Sequence, residues 1–412
     1  MARPTDRADR SGAQVTPARP SVGPGRTFIN ARFSDGNIGT LRIVGSRIAA
    51  VAEDPWPGDA IIDLQGDRVL PGLINAHDHL QLNNMPFQGC GKRFEHVRDW
   101  ITEVVASRRS DPVFKASVAV ARDARLVAGG VKNLLSGVTT VAHHDPLYPC
   151  LLSAHYPIRV VRRYGWSHSL FIDGEDQVRN SHRSTPADWP WIIHAAEGLD
   201  LDAGNEFERL DTLGCLGPNT LLVHGIALDR AQRARLKHAG GGLIWCPSSN
   251  LHLFGKTADV TDLRRHGRVA LGTDSRLSGA RDLLDELRIA GAAGNLDDRD
   301  LEQLVTLDSA RLLRLSDRGS LQPGACADLL ILRAGTALSA ARRADVRLVL
   351  IAGIVRYGER SCAQRAEPAS RWADVLVDGE PKILDKRIAK LLSDGGVREV
   401  GLELTHAARR TA

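Results

Sequence analysis

The sequence predicts an α/β fold in which a (β/α)8 barrel is bracketed by a small β domain. From residue 71 onward, short apolar runs that end in polar residues alternate with amphipathic stretches of helical spacing. Strand-like texture without a helical period flanks this region on both sides. Repeated strand and helix is typical of a parallel sheet, and about 250 residues of it is the scale of a (β/α)8 barrel.

The N-terminal flank predicts short strands joined by tight turns. Its apolar or alternating runs are broken by Gly, Asp and Pro and lie at 28–33, 41–44, 48–51 and 61–64. We assign residues 25–69 to the first part of a β-sandwich. Residues 1–24 contain Pro, Arg, Ser and Gly without an apolar run, which predicts a disordered lead-in and argues against a signal peptide.

The middle of the chain, residues 70–317, is assigned to the barrel. Its strand-like runs include 73–75, 139–142, 192–193, 221–223, 243–245 and 269–271. Helix-compatible spacing lies between such runs, for example at 113–126 and 229–239. The polar, proline-containing segment between Trp166 and His194 predicts a shortened or missing barrel helix.

Strand texture returns after the barrel. The runs at 327–332 and 346–355 predict the second part of the β-sandwich, which we bound at residues 318–361. The two flanks are therefore expected to form one small, discontinuous domain. A C-terminal extension, residues 362–412, contains a strand-like run followed by an amphipathic helix and has no chemical signature.

Composition excludes several classes of protein. The 54 basic and 49 acidic residues give a charge of +5, but the arginines are scattered, so no nucleic-acid footprint is expected. The sequence has no run of 18 apolar residues, which argues against a membrane span. The six cysteines form no C-x-x-C pair, which argues against a disulfide framework and a zinc knuckle and fits a reducing cytoplasm.

The strongest chemical signal is the pair His77 and His79 at the end of the first barrel strand. Alternate residues of a strand point to the same side, so both imidazoles can face one metal ion. Taken alone, the pair is equally well explained as two ordinary polar histidines. Its neighbours at other strand ends decide between these interpretations.

Three further strand ends carry matching groups. His194 ends one strand, with Glu197 three residues later, His224 ends the next, and Asp274 follows a third. Each alone could be a hydrogen-bonded strand cap or turn residue. In a barrel, however, these ends converge on the face where active sites lie, so together they predict a metal centre.

These motifs resemble those of the metal-dependent amidohydrolase superfamily, in the branch of the mononuclear zinc deaminases and triazine hydrolases. The resemblance spans most of residues 27–360 and includes Pro-Gly-Leu-Ile-Asn-Ala-His-Asp-His at 71–79, His-Ala-Ala-Glu at 194–197, Cys-Pro-Ser-Ser-Asn at 246–250 and Gly-Thr-Asp-Ser at 272–275. It implies that His77, His79, His194 and Asp274 hold one divalent metal. It also implies proton transfer by Glu197, polarisation by His224 and a proton relay by Asp274.

The implied activity is hydrolysis of a carbon–nitrogen bond other than a peptide bond. Zn²⁺ suits this ligand set and would activate a water for deamination of a small nitrogen heterocycle, although Fe²⁺ would also tolerate the ligands. Two alternatives stay open: hydrolysis of a cyclic amide or another ring substituent, and a non-catalytic metal-binding scaffold. The related two-metal site with a carbamylated lysine is disfavoured, because no lysine lies between Lys132 and Lys237.

Substrate contacts are harder to predict. Gln81, His144 and Trp166 are candidates because they lie near predicted strand ends. Each also has a structural explanation, as a turn residue, a hydrogen-bonded loop histidine or a packed ring. The expected partner is a small heterocyclic substrate, and a homo-oligomer is a further possibility suggested by the resemblance.

Overall fold

The computed structural model describes residues 24–88, 91–367 and 371–405. The predicted disordered lead-in lies outside the described residues, apart from residue 24, as does Cys90. The other five cysteines are free thiols, Cys150, Cys215, Cys246, Cys326 and Cys362. In the described part of the chain, no helix is both long enough and apolar enough to cross a membrane.

The N-terminal flank forms five short strands. They are β1 (Arg26–Arg32), β2 (Ile38–Val44), β3 (Arg47–Val51), β4 (Ala60–Asp63) and β5 (Arg68–Pro71). β1 pairs antiparallel with β2 and parallel with β4 and β5. Every strand-like run of this flank therefore lies in or directly beside a strand, as predicted.

Eight parallel strands follow, in two sheets. The first sheet contains β6 (Leu73–Asp78), β7 (Val138–His143) and β8 (Arg159–Val160). The second contains β9 (Gly165–Ser167), β10 (Trp191–Ala195), β11 (Thr220–His224), β12 (Gly242–Trp245) and β13 (Val269–Leu271). Neighbours in each sheet follow chain order, as expected for parallel strands joined by helices.

In the residues that the structure describes, twelve α-helices accompany these strands. They are α1 (Val97–Ser110), α2 (Pro112–Ala119), α3 (Arg122–Leu135), α4 (Leu170–Asp173), α5 (Glu175–Ser184), α6 (Leu201–Thr212), α7 (Arg230–His238), α8 (Pro247–Phe254), α9 (Thr261–Arg265), α10 (Leu283–Gly294), α11 (Asp298–Val305) and α12 (Leu307–Leu312). The α/β class predicted from sequence is confirmed. Closure of the eight strands into a barrel stays a prediction.

A helix occupies the segment in which the sequence predicted a shortened or missing one. α5 has ten residues and buries Val178, and Glu175 begins the helix and pairs with Arg209. The sequence predicted a shortened or missing helix, and the ten residues of α5, against fourteen in α1 and in α3, agree with the first alternative and not with the second. A single buried apolar residue leaves almost no hydrophobic period to detect.

The C-terminal part returns to the sheet of the first flank. It comprises β14 (Leu329–Leu332), β15 (Val346–Ile351), β16 (Ile354–Gly358), α13 (Arg360–Ala363), β17 (Trp372–Val377), β18 (Glu380–Asp385), α14 (Lys386–Gly395) and β19 (Leu402–Leu404). β14 pairs antiparallel with β5, so the two flanks share one 11-stranded sheet. The strands of the C-terminal extension continue this sheet, because β18 pairs with β16.

A buried ion network attaches the C-terminal extension to the loop that follows β13. Glu399 is 3% exposed and accepts hydrogen bonds from Arg276 Nη1 at 2.9 Å and Arg343 Nη2 at 2.8 Å. Arg343 also donates to Asp282 at 2.7 Å, and Asp282 caps α10. The extension thereby supports the loop that carries Asp274.

Candidate metal centre and active site

Four histidines, two of them buried and two partly buried, form a cluster at the carboxyl ends of the parallel strands. One ring nitrogen from each of His77, His79, His144 and His194 lies within 4.8 Å of the others, so the cluster could hold a metal ion. The Nε2 atom of His194 lies 3.3 Å from that of His77 and 3.4 Å from that of His79. Three predicted ligands therefore converge through the same ring atom.

In each histidine, the hydrogen bond made by one ring nitrogen determines whether the other nitrogen carries a proton or a lone pair. His144 Nε2 donates to the Ser167 carbonyl at 2.8 Å, so its Nδ1 accepts from His77 Nδ1 at 3.2 Å. His194 Nδ1 donates to the His168 carbonyl at 2.7 Å. The Nε2 atoms of neutral His77 and His194 therefore face each other as lone pairs, an arrangement that a cation between them would stabilise.

His79 is oriented by a carboxylate. Its Nδ1 lies 2.8 Å from Asp145 Oδ2, which also accepts from Gln81 Nε2 at 2.7 Å. Burial opposes protonation, but the hydrogen bond and charge of Asp145 raise the pKa of His79 to about 9. A carboxylate on the outer nitrogen is the usual partner of a metal-bound imidazole, because it fixes the ring and makes Nε2 more basic.

The Asp274 carboxylate lies beside the histidine cluster, next to His77 and His79. Its Oδ1 lies 4.0 Å from His77 Nε2 and 3.9 Å from His79 Nε2. Its Oδ2 accepts hydrogen bonds from Ser249 at 2.9 Å and Ser278 at 2.8 Å, so the carboxylate presents Oδ1 to the histidines.

The backbone at these strand ends is unusual. His224 has φ 72° and Asp274 has φ 52°, a left-handed conformation that few non-glycine residues adopt. At Gly272 a Cβ would lie only 2.6 Å from His77 Cβ, so glycine allows the end of β13 to approach β6. Thr273 N and Asp274 N then donate to the His77 carbonyl at 3.0 and 3.1 Å.

Glu197 and His224 form a second pair beside the cluster. Glu197 Oε1 lies 3.5 Å from His224 Nε2, and both side chains are buried. Burial, together with the charges of Asp274 and Glu206, raises the pKa of Glu197 well above its usual range. Burial lowers the pKa of His224, whose Nδ1 donates to Asn250 Oδ1 at 2.8 Å. A neutral His224 therefore presents a lone pair at Nε2.

A cavity of about 250 Å³ opens over these groups. Its floor contains His79, His194, Glu197, His224 and Asp274. Its outer wall is mostly apolar and is built largely by α1, through Val97, Trp100, Ile101, Val104 and Val105. The site thus joins a polar reaction centre to an apolar chamber, the usual composition of a small-molecule site.

The sequence of residues 186–356 matches the amidohydrolase family. The chain is also 25% identical over 291 residues to a 5-methylthioadenosine/S-adenosylhomocysteine deaminase of Archaeoglobus fulgidus, an alignment that covers 59% of this chain and 67% of that protein. These matches confirm the resemblance of the chain to the metal-dependent amidohydrolases. They support a hydrolase of carbon–nitrogen bonds other than peptide bonds.

Solved structures share the amidohydrolase fold of this chain. An adenosine deaminase from Xanthomonas campestris with bound zinc superposes with a TM-score of 0.64 at 20% identity, over 77% of this chain and 88% of that one. An atrazine chlorohydrolase from Arthrobacter aurescens complexed with zinc gives a TM-score of 0.64 at 18% identity, over 80% of this chain and 94% of that one. At such identities the likeness establishes the fold alone.

The predicted substrate contacts lie in different places in the structure. Gln81 lines the cavity and donates to Asp145. His144 lies behind His77, with both ring nitrogens in hydrogen bonds. The Trp166 ring packs edge-on against His144 and His168 and does not line the cavity described above.

Sequence reasoning missed Asp145, although a signal was present. The residue follows His143 and His144 directly after β7, so it lies at a strand end like the predicted ligands. A carboxylate at such a position is a candidate partner for a ligand histidine. The hydrophobic wall supplied by α1 had no comparable signal, because amphipathic helices occur throughout the chain.

Replacing Asp145 with alanine is expected to weaken metal binding by about 10- to 100-fold while leaving the fold intact, because His79 loses the partner that orients it. Competition with a chromogenic chelator measures the affinity. Asp188→Ala, at an exposed carboxylate far from the cluster, provides the matched control. Equal metal affinity in the two variants would contradict the orienting role of Asp145.

Ionisation of Glu206 is expected to make the free energy of unfolding depend on pH. Its carboxylate accepts from Ala196 N at 2.7 Å, and burial raises its pKa to about 7 from an ordinary 4.5. The folded protein therefore holds this proton more tightly than the unfolded chain does. The resulting contribution to the free energy of unfolding is complete below pH 4.5 and is lost as pH rises through about 7. Its size is on the order of 3 kcal/mol.

Glu206→Gln cannot ionise and is expected to lose less stability than the parent protein between pH 5 and about 8. Urea unfolding at several pH values measures this difference, with Glu175→Gln at an exposed helix start as control. Parallel stability curves for Glu206→Gln and the parent would show that Glu206 does not titrate in this interval.

Proposed function

We propose that this amidohydrolase is a mononuclear zinc enzyme that deaminates a small nitrogen heterocycle. One observation carries the proposal: His79, His194, Asp274 and the Glu197–His224 pair line one cavity, and His77 Nε2 lies directly behind this lining, 3.3 Å from His194 Nε2. The relative from Archaeoglobus fulgidus, named as a deaminase, supports the choice of reaction. The substrate of this chain is assigned only as an aminated heterocycle.

The side chains fit a zinc ion. We assign His77, His79, His194 and Asp274 as its ligands, because zinc accepts imidazole nitrogen and carboxylate oxygen. Nitrogen donors that shared one zinc ion at about 2.0–2.1 Å would lie about 3.4 Å apart, close to the 3.3 and 3.4 Å between the Nε2 atoms. Asp274 Oδ1 lies somewhat farther out, 4.0 Å from His77 Nε2 and 3.9 Å from His79 Nε2. Fe²⁺ accepts the same donor set. When bound, such a metal supplies Lewis acidity and lowers the pKa of water.

Glu197 is the proposed proton carrier. Its carboxyl lies in the cavity, beside His224, and its raised pKa favours the protonated form. It can therefore donate a proton to a ring nitrogen as the neighbouring carbon becomes tetrahedral. His224 accepts a hydrogen bond from the attacking water at Nε2, because Asn250 holds the proton of the ring at Nδ1.

The sequence prediction gave His224 two roles, orienting the water and stabilising the developing oxyanion. A neutral ring that donates through Nδ1 to Asn250 has no proton at Nε2 to offer an anion. We therefore assign His224 first to orienting and deprotonating the water, after which the protonated ring can donate to the developing oxygen. Asp274, whose Oδ1 faces the ligands, is the proposed relay of that proton to the leaving amine.

We further propose that the two parallel sheets are parts of one eight-stranded barrel. The hydrogen bonds from Thr273 N and Asp274 N to the His77 carbonyl support this, since they connect the segment after β13 to β6. The shared sheet of β5 and β14 supports a small discontinuous β domain formed by the two flanks.

The test begins with metal analysis of the purified protein. A panel of aminated purines, pyrimidines, pterins and triazines is then assayed for ammonia and for product mass. Deamination exchanges an amine for a hydroxyl, whereas opening a cyclic amide adds a whole water. Stoichiometric metal with no ammonia from any amine would overturn the deaminase proposal. A product in which a different ring substituent has been hydrolysed would assign the site to hydrolysis of that substituent instead.

A further inference from the structure

A second cavity lies at the opposite end of the parallel strands. Its volume is about 550 Å³. Arg159, which begins β8, and Trp189, which precedes β10, line it, whereas the histidine cluster lies at the strand ends. The turn between β15 and β16, at Ile351 and Ala352, forms another wall. This cavity is therefore separate from the metal centre.

The lining of this cavity is strongly basic. Among the described residues, its only acidic side chain is Asp188, against six arginines: Arg159, Arg162, Arg163, Arg314, Arg318 and Arg356. They come from three separate parts of the chain. Several guanidinium groups repel one another, so their convergence favours an anion between them.

Only half of these arginines have carboxylate partners in the described chain. Arg159 contacts Asp328 at 2.8 Å, Arg318 contacts Asp317 at 3.4 Å and Arg356 contacts Asp385 at 3.2 Å. The other three are exposed to solvent and are uncompensated by any carboxylate of the described chain. Arg162 and Arg314 donate to backbone carbonyls, and Arg163, in the described structure, has no hydrogen bond or ion pair.

Arg356 shows that the compensation is incomplete even for a paired member. Its Nε is buried without a hydrogen-bond partner in the described structure. Burial, opposed by Asp385 and reinforced by Arg371, lowers the pKa of Arg356 below its ordinary value. An anion in the cavity would satisfy the free donor and offset the loss of hydration.

We propose that this cavity binds a polyphosphate group, either free or as part of a nucleotide. Guanidinium groups bind phosphate oxygens through paired N–H donors, and three uncompensated arginines call for a ligand with several negative charges. A single carboxylate would leave most of that charge unbalanced. The partly buried Trp189 ring borders the same space and offers a surface on which a base could stack.

The test is isothermal titration of the metal-loaded protein with pyrophosphate and with ATP at constant ionic strength. Saturable binding of either is expected, and tighter binding of ATP would assign nucleotides as the source. Arg163→Ala combined with Arg314→Ala should weaken binding by about tenfold for each lost contact.

A matched double variant, Arg230→Ala with Arg265→Ala, removes the same charge from exposed arginines that line neither cavity. It should bind as tightly as the parent protein. Because polyphosphates also chelate metals, this comparison separates the arginine cavity from the metal centre. Equal weakening in both double variants, or no saturable binding in the parent protein, would overturn the proposal.

Discussion

Replacing Glu197 with glutamine should reduce turnover by about 10²- to 10⁴-fold while leaving metal content and fold unchanged. Glutamine keeps the size of the side chain but cannot transfer a proton. Glu197 borders the cavity 3.5 Å from His224, and it is not among the assigned metal ligands. The expected loss therefore lies in kcat, measured as ammonia released from the substrate that the panel identifies.

Glu208→Gln is the matched control for this experiment. Glu208 is an exposed carboxylate on α6, where it pairs with Arg235, so its replacement should leave kcat unchanged. Metal analysis and circular dichroism of both variants separate lost chemistry from lost structure. Unimpaired turnover in Glu197→Gln, with full metal content, would remove Glu197 from the mechanism.

The predicted ligands and catalytic residues could be identified from the sequence because each lies at or just after the end of an apolar strand. Parallel strands direct their carboxyl ends to one face, so His77, His194 and His224 could be brought together without coordinates. The structure places His77 and His194 in one histidine cluster, and His194 and His224 in the lining of one cavity. Strand order and chemistry at strand ends were sufficient for this part of the site.

Orientation could not be predicted in the same way. Which nitrogen of His144 faces His77 depends on the Ser167 carbonyl, a backbone atom with no sequence signature. Trp189 precedes β10, yet its ring lines the arginine-lined cavity at the other end of the strands, away from the metal centre. Periodicity assigns a residue to an element, whereas side-chain partners depend on distant segments.

The partners of Lys132 could not be predicted from the sequence either, and they matter more for stability. A lysine near the end of an amphipathic helix is normally solvated. Here α3 buries Lys132 completely, and its Nζ lies 3.1 Å from Asp78 Oδ2, 2.8 Å from Asn83 Oδ1 and 3.2 Å from Thr273 Oγ1. Gly129 allows this packing, because a Cβ there would lie 2.3 Å from the Leu80 carbonyl oxygen.

Lys132→Met is therefore expected to lower the free energy of unfolding by about 3–5 kcal/mol, because it leaves the Asp78 carboxylate buried without its cation. Metal affinity should fall as well. Asp78 lies between two assigned ligands, and Thr273 precedes a third, so the ammonium fixes two strand ends relative to each other. Urea unfolding and chelator competition measure the two effects.

Two comparisons distinguish a positioning role from a general loss of packing. Lys237→Met removes an ammonium from a more exposed pair with Asp262 and should cost less than about 1 kcal/mol. Adding Asp78→Asn to Lys132→Met removes the unpaired charge, so the double variant should regain part of the lost stability. A cost below about 1 kcal/mol for Lys132→Met, or no recovery in the double variant, would show that the buried pair does not organise these strand ends.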